Sequence, residues 1–147
     1  MSKFLTVLFC LFYFCGNSQT ITKVIDGDTY IIDYKQRIRL YAVDSPEATQ
    51  TYGREAKKYV EKLLLHKKVR LATIKTDKYG RTIAKVYING KDLSEILIEN
   101  GIAWHYSYFD SSFILAQKEE TARKNKLGFW KYPNPINPYK FRKQWKT

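Results

Sequence analysis

Apolar and polar positions change period several times along this chain, and each change marks an element. Residues 20–25 are β-branched and apolar, and residues 29–34 repeat that character after an Asp26-Gly27 turn, a strong hairpin signal. Residues 37–43 alternate Arg37, Ile38, Arg39, Leu40, joined to the strand before by a tight polar link at 34–36. Pro46 ends this part, because proline cannot continue a central strand. After a polar loop over 48–52 the period lengthens. Ala56, Tyr59, Val60, Leu63 and Leu64 fall on one helical stripe, with Lys57, Lys58, Glu61 and Lys62 mostly opposite. Alternation returns over 68–74 and 81–88, separated by the turn Asp77-Lys78-Tyr79-Gly80 with glycine at its last position. Asp92 then opens a helix, with Glu95 three residues later as a variant capping box, Leu93, Ile96 and Leu97 inward, and Gly101 as its stop. A last helix over about 112–126 sets Leu115, Glu119 and Ala122 on one face and ends at Gly128. Five short strands interrupted by a helix, followed by two more helices, predict a small α+β barrel capped by helices.

The ends of the chain differ from this middle. Lys3 gives a positive start, residues 4–14 are an almost unbroken apolar run, and Gly16-Asn17-Ser18 sets small residues before a cut ahead of Gln19. That is the layout of a secretory signal peptide over residues 1–18. The run of eleven residues is too short to cross a hydrocarbon core of about 30 Å. Cys15 offers lipoprotein anchoring as a second possibility, disfavoured by the bulky Phe14 before it. One domain is expected over 19–131 and a basic tail over 132–147. With Pro133, Pro135 and Pro138 and many cations, the tail is expected to be extended and partly mobile.

Removal of the leader also removes Cys10 and Cys15, so the mature chain has no thiol and no disulfide. His66 and His105 lie far apart without ligand spacing, which argues against zinc. The mature chain keeps 25 basic and 14 acidic side chains, a net charge of +11. An exported protein with that excess attracts polyanions, chiefly nucleic acid or an anionic cell surface. A monomer is expected, since no exposed apolar stripe is evident.

Against this basic background two acids stand near an arginine: Asp28 in Val24-Ile25-Asp26-Gly27-Asp28-Thr29-Tyr30, and Asp44 in Arg39-Leu40-Tyr41-Ala42-Val43-Asp44-Ser45-Pro46-Glu47. Asp26-Gly27 alone reads as turn chemistry, but a turn does not require the acid at Asp28. Acids so placed can hold a cation against a phosphate. Together with Thr76-Asp77-Lys78-Tyr79-Gly80-Arg81 and Lys126-Leu127-Gly128-Phe129-Trp130, these segments resemble the staphylococcal nuclease (thermonuclease) family, in the family's order and across residues 20–130. The resemblance implies a five-stranded oligonucleotide-binding (OB-fold) β-barrel with three helices. It implies one Ca²⁺ bound by Asp28, Asp44 and the main-chain carbonyl of Ser45, with Asp26 behind them; calcium takes hard oxygen ligands. Glu47 matches the carboxylate that contacts the attacking water. Arg39 and Arg81 match the two arginines that pair with the phosphate, where a planar fork suits two oxygens. Lys78, Tyr79, Tyr106 and Tyr108 match the substrate groove, with Tyr106 and Tyr108 projecting the same way from an extended segment. The implied activity is Ca²⁺-dependent cleavage of DNA and RNA with little sequence preference, leaving 3′-phosphates. A catalytically silent nucleic-acid-binding barrel is the alternative, and a basic cell-surface protein that binds polyanions is a third reading.

Overall fold

The computed structural model of the chain describes residues 18–144. The expected leader lies outside them except at Ser18. Five strands make a barrel: β1 (Gln19–Val24), β2 (Thr29–Ile32), β3 (Gln36–Leu40), then, beyond a two-residue strand and a helix, β5 (Lys68–Thr76) and β6 (Thr82–Ile88). The neighbours run β3-β2-β1-β5-β6, and a parallel pairing of β3 with β6 closes the ring. The α+β barrel read from the sequence is therefore present, and its strand bounds fall within a few residues of those expected. The β2–β3 link places Asp33 and Tyr34 at φ of 48° and 60°, with the Lys35 amide donating to the Ile32 carbonyl. That is the primed turn whose twist suits a hairpin.

One expected strand is interrupted. Residues 37–43 do not run straight: β3 stops at Leu40, and Ala42 turns the chain through φ 66°. The short β4 (Val43–Asp44) then leaves the barrel wall and pairs with β8 (Trp104–His105). Alternation carries no signal for such a corner, since Val43 and Asp44 are both buried.

Three helices stand where the periodicity predicts: α1 (Gly53–Leu64), α2 (Leu93–Glu99) after the two-residue β7 (Lys91–Asp92), and α3 (Phe113–Lys124). In α1 the stripe buries Ala56, Val60 and Leu64 against the barrel. Asp92 caps α2 by accepting the Ser94 amide at 2.8 Å, and Ser112 caps α3 by accepting from Leu115. Glu95 turns to Lys118 of α3, at 3.4 Å, in place of the capping bond its spacing implies. The core contains Ile21, Tyr30, Ile38, Leu40, Val60, Val86, Leu97 and Ile98, and a smaller cluster of Trp104, Ala122, Phe129 and Trp130 seals the α3 end. Gly101 (φ 64°) is required there: a Cβ on it would lie 2.2 Å from the Leu127 carbonyl oxygen.

The tail departs from expectation. A single 3₁₀ turn covers Gly128–Lys131, and a fourth helix, α4 (Pro138–Gln144), follows where extended chain was expected. Asn137 explains it. Its Oδ1 accepts the Tyr139 amide at 3.0 Å, and Pro138 occupies the first helical position, where a missing N–H costs nothing.

Candidate active site

The site forms where the β1–β2 turn, β3 and β4 meet. Asp26 Oδ1 accepts the Asp28 amide at 3.0 Å, closing a local turn that aims Asp28 inward. Gly27 lets this turn lie on β4, because a Cβ there would sit 1.8 Å from Ser45 Oγ. Beneath it the Tyr30 phenol donates to the Gly27 carbonyl at 2.8 Å, and burial pushes that phenol well above its ordinary pKa. Asp28, only 6% exposed, accepts the Ser45 amide at 2.7 Å and the Thr29 hydroxyl at 3.1 Å.

Strand register sets Arg39 beside it. Thr29 pairs with Arg39 across β2–β3, and the Leu40 amide donates to the Asp28 carbonyl. The Arg39 guanidinium then spans both acids, with Nη1 3.2 Å from Asp28 Oδ2 and Nη2 3.1 Å from Asp44 Oδ1. Asp44 is 1% exposed; burial raises its carboxyl pKa, Asp28 adds to the rise, and the neighbouring arginines oppose it. Asp26 is pushed up to about 6, first by burial and then by the charge of Asp28. Glu47 stands at the edge, its amide donating to Gln50 Oε1 at 3.0 Å.

A residue that the sequence did not single out completes the cluster. Arg142 of α4 donates from Nη1 to Asp44 Oδ1 at 3.1 Å and to Glu47 Oε1 at 2.7 Å, and from Nη2 to Asp44 Oδ2 at 3.0 Å. Burial opposes its charge, yet the bonds to Asp44 and Glu47 carry its pKa above the ordinary value. The result is a continuous chain, Asp28–Arg39–Asp44–Arg142–Glu47. The signal for Arg142 was Asn137-Pro138, a helix start hidden among prolines.

Arg81 is not part of this chain of contacts. It stands one residue before Thr82, which pairs with Ile38, on a hairpin whose β5 residues 73–76 are all exposed. Asp77 holds it by accepting from the Arg81 amide at 3.0 Å and from Nε at 2.7 Å. Tyr79 is 69% exposed in the same turn, with Lys78 Nζ 5.2 Å and Arg81 Cζ 5.6 Å from its ring. Tyr106 and Tyr108 lie together, ring centroids 6.3 Å apart, but in a turn closed by the Phe109 amide on the Tyr106 carbonyl and not in an extended segment. Phe109 packs edge-on against both, and the Tyr41 hydroxyl donates to its carbonyl at 2.8 Å. Lys75 Nζ lies 5.6 Å from the Phe109 ring and Lys85 Nζ 5.9 Å from that of Tyr41. Neither aromatic was singled out from the sequence, and both extend the cationic, aromatic wall beside Tyr106.

The donor set suits a hard cation. Asp28 and Asp44 already flank one positive group between them, and the adjacent Ser45 hydroxyl is buried with no hydrogen-bond partner among the described residues. Among the described residues no group of three or more histidine, cysteine, aspartate or glutamate side chains could enclose a metal. Two carboxylates would therefore need a main-chain carbonyl, water and substrate oxygens to complete a shell, an all-oxygen set that is compatible with calcium.

Comparison with known proteins shows the family. Residues 37–132 match the family described as Staphylococcal nuclease homologue. Over 113 residues the chain is 37% identical to Staphylococcal-like nuclease CAN1 of Arabidopsis thaliana, covering 77% of this chain and 35% of that one. It is 38% identical over 113 residues to an uncharacterized 38.1 kDa protein of Capnoides sempervirens, covering 77% and 33%. To an uncharacterized endonuclease of Haemophilus influenzae it is 34% identical over 132 residues, covering 87% and 74%. The chain spans about a third of the two plant proteins and about three quarters of the bacterial one.

Proposed function

Because the chain belongs to the staphylococcal nuclease family, we propose that it is an exported, Ca²⁺-dependent nuclease that hydrolyses phosphodiester bonds of DNA and RNA with little sequence preference. The observation that carries this reading is the pair of buried carboxylates, Asp28 and Asp44, delivered by separate elements to one guanidinium, with Glu47 beside them. A basic binding domain has no need to bury two acids beside its arginines, since burying charges costs free energy that their pairing only partly returns.

Asp28, Asp44 and the Ser45 carbonyl would hold Ca²⁺, which when bound neutralises phosphate charge and makes a neighbouring water more acidic. Glu47 orients the attacking water and accepts its hydrogen bond; its rim position leaves it open to solvent on one side, with its side chain 35% exposed. Arg39 offers a fork to the phosphate oxygens as negative charge gathers on them. Arg81, on its projecting hairpin, reaches the phosphate from the opposite side and assists the departing 5′-oxygen, so that the phosphate remains on the 3′-oxygen and the product carries a 3′-phosphate. Tyr79, Tyr106 and Tyr108 stack on bases, a contact that reads no sequence, and Lys78 tracks the backbone.

Plasmid degradation tests the reading. The protein is expected to degrade DNA in Ca²⁺ and not in EDTA, and Arg81→Ala is expected to lose about 10²–10³ in rate. Salt-sensitive binding without cleavage in either condition would leave a silent binding barrel.

A further inference from the structure

Arg142 takes the oxygens that a metal would need. Its fork engages both oxygens of Asp44, the more buried of the two proposed side-chain ligands, and one oxygen of Glu47, the residue proposed to orient water. A divalent cation and this guanidinium would repel each other across a shared carboxylate.

The helix that delivers the fork is short and mostly exposed. Among α4 residues only Pro138 is buried, and the Arg142 side chain remains 38% exposed. The chain just before α4 is anchored more firmly. Tyr132 packs on Tyr52 with ring centroids 6.0 Å apart, and Gln50, which also braces the Glu47 amide, donates to the Ile136 carbonyl. Between anchor and helix lies a cleft of about 300 Å³, lined by Pro46, Thr51, Trp104, Pro135 and Phe141 among others. The base of the tail is thus fixed, and from its last helix Arg142 is the side chain that reaches Asp44 and Glu47.

We propose that Arg142 is an exchangeable counter-cation of the active site: it neutralises Asp44 and Glu47 in the metal-free protein and is displaced when a divalent cation binds, so that α4 gates the site. This rests on the reading of Asp28 and Asp44 as metal ligands. Metal-free protein keeps its acids paired and its catalytic edge covered. Calcium opens that edge by taking Asp44 from the helix.

Calcium binding to the protein, Arg142→Ala and Arg142→Lys is measured by isothermal titration calorimetry, and amide hydrogen exchange over residues 139–144 is followed with and without Ca²⁺. A fork closed about nine-tenths of the time weakens apparent affinity about tenfold. Arg142→Ala is therefore expected to bind Ca²⁺ about tenfold more tightly, with Arg142→Lys, which keeps the charge and loses the planar fork, in between. In the unsubstituted protein, Ca²⁺ is expected to speed exchange in α4. Equal affinities for the protein and Arg142→Ala overturn the proposal. So does α4 exchange that bound Ca²⁺ leaves unchanged, because lost repulsion alone would tighten binding without releasing the helix. Failure of all three proteins to bind Ca²⁺ overturns the metal reading itself, and this proposal with it.

Discussion

Arg39 and Arg142 grip the same carboxylate at nearly the same distances, yet from opposite kinds of structure. Arg39 belongs to the barrel wall. Its backbone is fixed by pairing with Thr29 on one side and Ile83 on the other, and its side chain is 14% exposed. Arg142 belongs to a seven-residue helix near the end of the described chain and is 38% exposed. Their bonds to Asp44 measure 3.1 Å for Arg39, against 3.1 and 3.0 Å for Arg142. Distance alone would rank them as equals. What separates them is the element behind each group: register holds one in place whatever its partner does, while the other stays only as long as Asp44 and Glu47 are free to receive it.

Substitutions can break or sharpen this contrast. The largest effect is expected for Arg39→Ala, which leaves Asp28 without its cation and Asp44 with only the outer one. Thermal unfolding without metal should show a loss of about 3 kcal/mol, and DNA cleavage should fall by about 10²–10³. Arg142→Ala, measured alongside it, should cost the metal-free protein about 1 kcal/mol or less, because Arg39 still neutralises Asp44 and the lost arginine is partly exposed. Arg81→Ala separates chemistry from stability. Its kcat should fall by about 10²–10³, while its unfolding midpoint should fall by no more than that of Asp77→Asn, because its ion pair is with Asp77 and not with Asp28 or Asp44. A parallel fall in both would assign it a structural role. Tyr108→Ala, at a residue 81% exposed, should weaken oligonucleotide binding by about 1–3 kcal/mol in a fluorescence titration, without altering the fold.

The smallest expected effect concerns Asp77. Burial works against its charge, but the amides of Arg81 and Tyr79 and the Arg81 guanidinium outweigh it and hold its pKa below the ordinary value of 3.8. A depressed folded pKa means stability that is complete above pH 3.8 and lost as pH falls through the folded value. Asp77→Asn should therefore lower stability by about 0.5–1 kcal/mol at neutral pH, discounted for its solvent exposure. The gap in unfolding midpoint between variant and parent should narrow as pH falls below the carboxylate range. A gap that persists in acid would trace to turn geometry and not to charge.

The barrel half of the contrast was legible in the sequence and the tail half was not. Strand periodicity and the Asp-Gly turn place Asp28 next to β2, and alternation at Arg37 to Leu40 puts Arg39 on the strand paired with it. Such local patterns survive folding because the ladder repeats them. The corner at Ala42 left no mark, since a left-handed alanine in a buried segment looks like any apolar residue. Glu95 kept its capping spacing but found a stronger partner in Lys118, a contact set by how α2 meets α3. Arg142 pairs with Asp44 across 98 residues of sequence, and no periodicity reports a contact of that range. Phe109 and Tyr41 joined the aromatic wall for the same reason: the turn at Phe109 and the corner after β3 meet only in the folded chain. Asn137-Pro138 was the one local clue to α4, and it was outweighed by the prolines around it.

The account depends most on Asp28 and Asp44 acting together on a cation that serves phosphodiester hydrolysis. Cleavage of plasmid DNA by the protein and by Asp44→Asn, with millimolar Ca²⁺ at mildly alkaline pH and again after chelation, tests it most directly. The account predicts rapid degradation by the unsubstituted protein with Ca²⁺ alone, and none by the variant or after chelation. Intact DNA in the presence of Ca²⁺, or equal cleavage after chelation, would contradict it.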